Sequence, residues 1–176
     1  MHMSTMQSES NCHDLECVGC KHGPQAIQAS VEKGIAKVGW VMIPVADGDP
    51  PFVYTVGLTE TYKHPELIIT GFPPNAMIEI LEAAVDKLKE SRGAFEGALV
   101  PGVIQVNVHG KLQDGVLGCQ KVRRKKRLEL LRLAVNRYGA DNFAAKQLVY
   151  PDPHGILPWQ PGFDSEWGKA QPKLWK

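Results

Sequence analysis

One stretch, residues 52–71 (FVYTVGLTETYKHPELIITG), limits what this chain can become more than any other. Two apolar, β-branched runs flank a short polar loop, the pattern of strand, loop, strand. In the first run Phe52, Tyr54 and Val56 share one face, and Val53, Thr55 and Gly57 share the other. Gly57 predicts a bulge or a close backbone approach. The loop carries Glu60, Tyr62, His64 and Glu66, the densest run of possible catalytic groups outside the N-terminal cysteines. Pro65 disfavours helical geometry at His64 and so predicts an extended segment there. Residues 66–70 (ELIIT) alternate imperfectly, which predicts a strand buried on both faces.

Other elements arrange themselves around this stretch. Residues 40–45 (WVMIPV) read as a strand that Pro44 ends or confines to an edge. The turn-rich residues 47–51 then predict a hairpin with the strand that follows. Residues 23–37 suit a helix, with Pro24 at its start and Ile27, Val31 and Ile35 at helical spacing. Pro73 and Pro74 open the clearest helix, where Met77, Ile80, Leu81, Ala84 and Leu88 form one stripe and Gly93 is the stop. Residues 102–110 (GVIQVNVHG) alternate as a strand, with Ile104, Val106 and Val108 opposite Gln105, Asn107 and His109. A turn at residues 113–115 and a return strand over 115–119 follow. Leu128, Leu131, Val135 and Tyr138 mark a further helix, and residues 147–150 a last short strand. Residues 151–155 (PDPHG) read as a rigid turn, and Trp159, Phe163 and Trp167 are expected to pack as an extended tail. Strands joined by short turns predict an α+β fold, a mostly antiparallel sheet with two or three helices packed on one face.

A chain of 176 residues is long enough to bury a core as one domain. The expected division is a Cys-rich leader over residues 1–22, then one globular domain over 23–176 with an extended C-terminal tail. The net charge of +1 gives no global field toward nucleic acid or membrane. No apolar run approaches the roughly 18 residues that span a bilayer, and the N-terminus lacks a signal-peptide pattern, so the expected location is cytoplasmic. Residues 121–127 (KVRRKKR) hold six basic residues in seven and keep a nucleic-acid partner open. Against that partner, no aromatic residue is interleaved for base stacking.

Three sets of residues could carry function. Cys17 and Cys20 sit on a turn that lets both sulfurs face one point, which suits tetrahedral zinc with Cys12, His13 or His22 as further ligands. The plain alternative is a reduced pair in a flexible leader. His64, Glu66, His109, Asp152 and His154 are expected at strand ends or beside them. If His64, His109 and Asp152 or His154 held a metal, Glu66 could activate a water, as in a metal-assisted hydrolase. The plain alternatives are hydrogen-bonded structural histidines and an Asx-turn at Asp152. Tyr54, Thr55, Gln105, Asn107 and Trp159 could instead seat a small ligand or a protein partner, with Tyr54, Tyr62, Trp159 and Trp167 as aromatic anchors. No H-E-x-x-H, G-x-S-x-G, Walker or G-x-G-x-x-G motif is present. That ranks a binding module, inhibitory or regulatory, first, the hydrolase second and a Cys-based zinc or redox sensor third.

Several pieces also recur together in one family. They are the cysteine pair, Gly39-Trp40, PPFVYTVGL (50–58), HPELIITGFP (64–73), QLVYPDPHGILPW (147–159) and QPKL (171–174). In this order they resemble the family catalogued as domain of unknown function 4262, from about Cys17 to Leu174. The resemblance implies a small, cytoplasmic, single-domain protein of bacteria or their phages, and implies no particular activity. The basic run and Cys12 depart from the family pattern.

Overall fold

Among the described residues six strands form one sheet: β1 (Val41–Val45), β2 (Phe52–Val56), β3 (Glu66–Thr70), β4 (Leu99–Val108), β5 (Lys111–Lys121) and β6 (Ala145–Val149). The structure, a computed structural model, describes residues 18–91, 95, 99–108 and 110–176. The strand order is β1-β2-β3-β6-β5-β4. Every pairing is antiparallel except β3 with β6, which are parallel with Glu66 opposite Ala145 and Ile68 opposite Gln147. The fold is therefore α+β with a mixed, mostly antiparallel sheet.

Helices α1 (Val18–Val38), α2 (Leu58–Thr61), α3 (Pro74–Glu90), α4 (Arg124–Leu130), α5 (Arg132–Tyr138) and α6 (Ser165–Gly168) complete the described elements. They are not confined to one face. On one side Met77, Leu81, Ala84, Val85 and Leu88 of α3 pack with Val53, Leu67, Ile69, Leu117 and Leu148. On the other, Val31 and Ile35 of α1 join Leu131 and Ala134 over Tyr54, Val56 and Ile68. The reason is in the strands. Val53, Leu67 and Ile69 point one way and Tyr54, Val56 and Ile68 the other, and all are 2% exposed or less. A central strand that is apolar on both faces needs cover on both. Fully burying one Leu or Met of the α3 stripe is worth roughly 1.5–3 kcal/mol.

Local details differ from expectation at Gly23, Gly110 and Gly115. α1 begins upstream of Gly23 and breaks there, at φ 74° and ψ 179°. Gln113, Asp114 and Gly115 lie inside β5 rather than in a turn. The hairpin reverses between the paired Val108 and Lys111, with Gly110 at φ 81°. Gly115 instead makes room, since a Cβ there would lie 2.8 Å from Val106 Cγ1. The loop after β2 contains the short α2.

Two glutamines fasten the C-terminal tail to β6. Gln147 Nε2 donates to Pro172 O at 3.0 Å, and Gln147 Oε1 accepts from Leu174 N at 3.0 Å. Gln171 brackets Tyr150, accepting from its N–H at 3.2 Å and donating to its carbonyl at 2.9 Å. These replace ladder bonds that β6 would otherwise lack at its end.

Candidate functional site

Glu66 closes the N-terminal end of the parallel pair. Strands β2 and β3 pair from Phe52–Thr70 to Tyr54–Ile68 and part beyond. The Thr55 hydroxyl fills the opening, donating to Glu66 Oε2 at 2.7 Å and accepting from Leu67 N at 2.9 Å. Glu66 Oε1 accepts from the amides of Gly57 (3.2 Å) and Thr59 (3.0 Å), and Oε2 from that of Leu58 (3.4 Å). These amides start α2, so the carboxylate sits where the helix's unpaired N–H groups converge. Gly57 permits the approach: at φ 119°, a Cβ there would lie 2.5 Å from Gly39 O. Burial pushes the Glu66 carboxyl up, against the pull of these donors.

His64 is 1% exposed beside it. Its Nδ1 meets Pro65 O at 2.6 Å, and a carbonyl only accepts, so Nδ1 carries the proton. Nε2 is buried and has no partner among the described residues, and the ring stands edge-on to Phe95 at 5.2 Å. Burial lowers the His64 pKa, which favours the neutral ring. The loop's other carboxylate, Glu60, is held by Arg137 at 2.6 and 3.0 Å. Arg137 also pairs with Glu32 and so ties α1, α2 and α5 together.

Asp152 organises the opposite end. Its Oδ1 accepts from the amides of His154 (2.9 Å) and Ile156 (3.0 Å), and its Oδ2 from that of Asp164 (3.0 Å). Burial raises its carboxyl, but the three amides together outweigh burial and hold it below the usual carboxylate range. The Asx-turn expected of the proline-fixed loop is thus present, with a third amide brought from the tail.

The parallel register keeps these ends apart. Glu66 lies opposite Ala145, while Asp152 follows the far end of β6. At about 3.3 Å per strand residue, the two carboxylates stand on the order of 20 Å apart. His64 and Glu66 thus lie at the opposite end of the parallel pair from Asp152 and His154, and the structure does not bring these two groups together. His109 lies outside the described residues.

A cleft of about 540 Å³ opens at the Asp152 end. One wall is the first half of α3, through Ala76, Glu79 and Ile80. Phe72, Tyr150, Pro151 and Trp167 form the facing wall, and Val103, Ile104 and Val106 of β4 the floor. A smaller cleft of about 390 Å³ shares Phe72, Tyr150 and Trp167. The Phe72 and Tyr150 ring centroids are 4.1 Å apart, and Trp167 is 41% exposed. Burial pushes the Tyr150 phenol up to about 12, and its hydroxyl makes no hydrogen bond to any described residue.

The ligand candidates disperse. Gln105 and Asn107 reach the cleft, but they pair across the hairpin with the exposed Asp114 and Leu112 on the opposite face from Ile104 and Val106. Tyr54 is buried, its hydroxyl accepting from Leu133 N at 3.2 Å, and Thr55 belongs to Glu66. Trp159 lies on Gly118, where a Cβ would come within 2.1 Å of its ring, and meets Trp175 edge-on at 5.9 Å. Of the cleft's rings, sequence reasoning singled out Trp167 as an anchor and missed Phe72 and Tyr150. Their one signal was position, just past the ends of β3 and β6.

Much of the basic run is spent on structure. Arg124 forms a bidentate pair with Asp141 at 2.7 and 3.1 Å, and Lys126 pairs with Glu129. Arg127 is buried over the Phe143 ring and donates to Ala140 O at 2.9 Å. Lys121, Arg123 and Lys125 are exposed. Cys12 and Cys17 of the zinc set lie outside the described residues, as do the side chains of Cys20 and His22. Among the described residues no cluster of three or more His, Cys, Asp and Glu could hold a metal. Cys119 is buried, and burial pushes its thiol up to about 11, far from a reactive thiolate. No helix among the described residues is long and apolar enough to cross a membrane.

No curated protein and no solved structure matches the chain. A family model matches residues 34–164, the span that holds YTVGL, HPEL and PDPHGILPW, and hence both buried carboxylates and most of the cleft wall. By that match the chain belongs to the family described as Domain of unknown function (DUF4262).

Proposed function

We propose that this protein is a binding module whose small, largely apolar ligand seats in the cleft between α3 and the Tyr150–Pro151 segment. One observation carries the reading: a cleft of about 540 Å³ with an apolar lining and few polar groups, within the usual size of a ligand pocket. Its lining holds no His, Cys, Ser or Thr among the described residues. Its titratable groups are Glu79, Tyr150 and an Asp152 whose oxygens are committed to backbone amides. Such a site holds a molecule and offers no nucleophile paired with a base. A regulatory or inhibitory role follows from holding a ligand without converting it. The hydrolase reading loses support with the separation of His64 and Glu66 from Asp152.

N-phenyl-1-naphthylamine, a neutral apolar dye that brightens when desolvated, tests the reading. Saturable binding to the full chain is expected, weakened at least about tenfold by Ala76→Trp, which fills the wall. The unfolding midpoint of that variant should stay near that of the parent, because Ala76 is only half-buried. Equal dye affinity in both proteins would remove the cleft as the site.

A further inference from the structure

The charges and rings around the cleft say more about its occupant. Among the described residues, every formally charged side chain lining the two joined clefts is acidic: Glu79, Asp152 and Glu166. No described lysine or arginine lines either one, in a chain whose net charge is +1. Glu166 is neutralised by Lys169 at 2.7 Å, and Asp152 is turned to its amides. Glu79 is exposed and has no ion-pair or hydrogen-bond partner among the described residues. Three aromatic side chains of different kinds, Phe72, Tyr150 and Trp167, meet in the same space. Ring faces carry the negative part of the aromatic quadrupole, and a cation held against several of them is attracted without a hydrogen-bond donor. An anion here would face the rings and Glu79 together, with no positive side chain among the described lining residues to offset either.

We propose that the cleft binds an organic cation, a quaternary or alkylated ammonium group seated against the Phe72, Tyr150 and Trp167 rings, with Glu79 at the mouth as counter-charge. The proposal rests on the binding reading above and adds the chemistry of the ligand. The apolar floor of Ile104 and Val106 would take the ligand's uncharged part. A bare ammonium is a poorer fit, because its N–H groups would find few acceptors on an aromatic wall.

Calorimetric titration of the full chain with phenyltrimethylammonium and with tert-butylbenzene tests this directly. The two probes share a shape and differ in charge. The cation is expected to bind roughly tenfold more tightly, although water holds it more strongly. Trp167→Leu should bring the ratio to parity or below, and Glu79→Gln should reduce it by about threefold. Both positions are exposed, so neither variant should disturb folding. Equal or tighter binding of tert-butylbenzene to the parent overturns the proposal. So does a preference for the cation that survives Trp167→Leu unchanged. The naphthylamine dye separates the two levels: dye binding without cation preference keeps the binding module and removes the cation. Absence of binding by both probes and the dye removes both.

Discussion

The two ends of the β3–β6 pair use the same device and finish differently. At one end Glu66 gathers the amides of Gly57, Leu58 and Thr59. At the other Asp152 gathers those of His154, Ile156 and Asp164. Each carboxylate replaces backbone partners where the chain leaves the sheet. Beside Glu66 stand Thr55, in the opened ladder, and His64, against Phe95. Beside Asp152 the turn folds back on itself, and Tyr150, Phe72 and Trp167 line a cleft. Both carboxylates have their oxygens occupied by backbone amides, an architectural use of a buried acid. The cleft is what sets the Asp152 end apart.

The comparison breaks most visibly if Glu66 is removed. Glu66→Ala leaves three backbone amides, two of them in buried hydrogen bonds, and the Thr55 hydroxyl without their acceptor. The expected loss of stability is on the order of 4 kcal/mol in urea unfolding. A loss under about 1 kcal/mol would mean that water replaces the carboxylate and that this end is not closed. Asp152→Ala should cost less, about 2–3 kcal/mol, because its turn lies nearer the surface. It should also act locally. Limited proteolysis is expected to cut within residues 150–164 before the sheet unfolds, and to weaken dye binding by loosening one cleft wall.

Titration separates the two ends by sign. The folded-state pKa of Glu66 lies above its unfolded value near 4.3. Its contribution is therefore fully present below about pH 4 and is lost as pH rises through the folded value. The folded-state pKa of Asp152 lies below its unfolded value near 3.9. Its contribution is present above about pH 4 and is lost as pH falls through the folded value. Unfolding free energies measured from about pH 3 to 8 should show this as two opposite trends. The deficit of Glu66→Gln relative to the parent should shrink as pH rises, and that of Asp152→Asn should shrink as pH falls. Parallel curves for the parent and either variant would place that carboxylate outside the pH response.

The fold was more legible in the sequence than the site, for a physical reason. Strands β2 and β3 and the stripe of α3 follow from side-chain periodicity, which is local. The imperfect alternation of residues 66–70 already demanded cover on both faces, and α1 and α3 supply it. The parallel contact of β3 with β6 has no local signature, since α3, β4, β5, α4 and α5 intervene. Without that contact His64 and Asp152 could be imagined side by side, and Phe72 could not be placed beside Tyr150. The sequence also drew attention to groups with acid–base chemistry. Here Glu66 and Asp152 are taken up by backbone amides and His64 Nδ1 by a carbonyl, while the cleft is walled by rings and aliphatic side chains that carry no such chemistry.

The smallest expected effect sharpens the open end. Gln105 and Asn107 have a ligand-binding character by sequence and lie along the cleft's edge. Strand alternation sends Ile104 and Val106 toward α3, and both polar side chains to the face shared with Asp114 and Leu112. Gln105→Ala and Asn107→Ala are exposed changes that empty no packed space, so each should shift stability by less than about 0.5 kcal/mol. Dye affinity should stay within about twofold of the parent, since only the strand's backbone and its inward residues reach the ligand. Ile104→Ala, on the inward face, should instead lower dye affinity several-fold, as deletion of apolar contact area does at about 25 cal/mol per Å². If the polar pair mattered and Ile104 did not, the ligand would lie across the outer face of the hairpin, and the cleft wall formed by α3 would have no part in binding it.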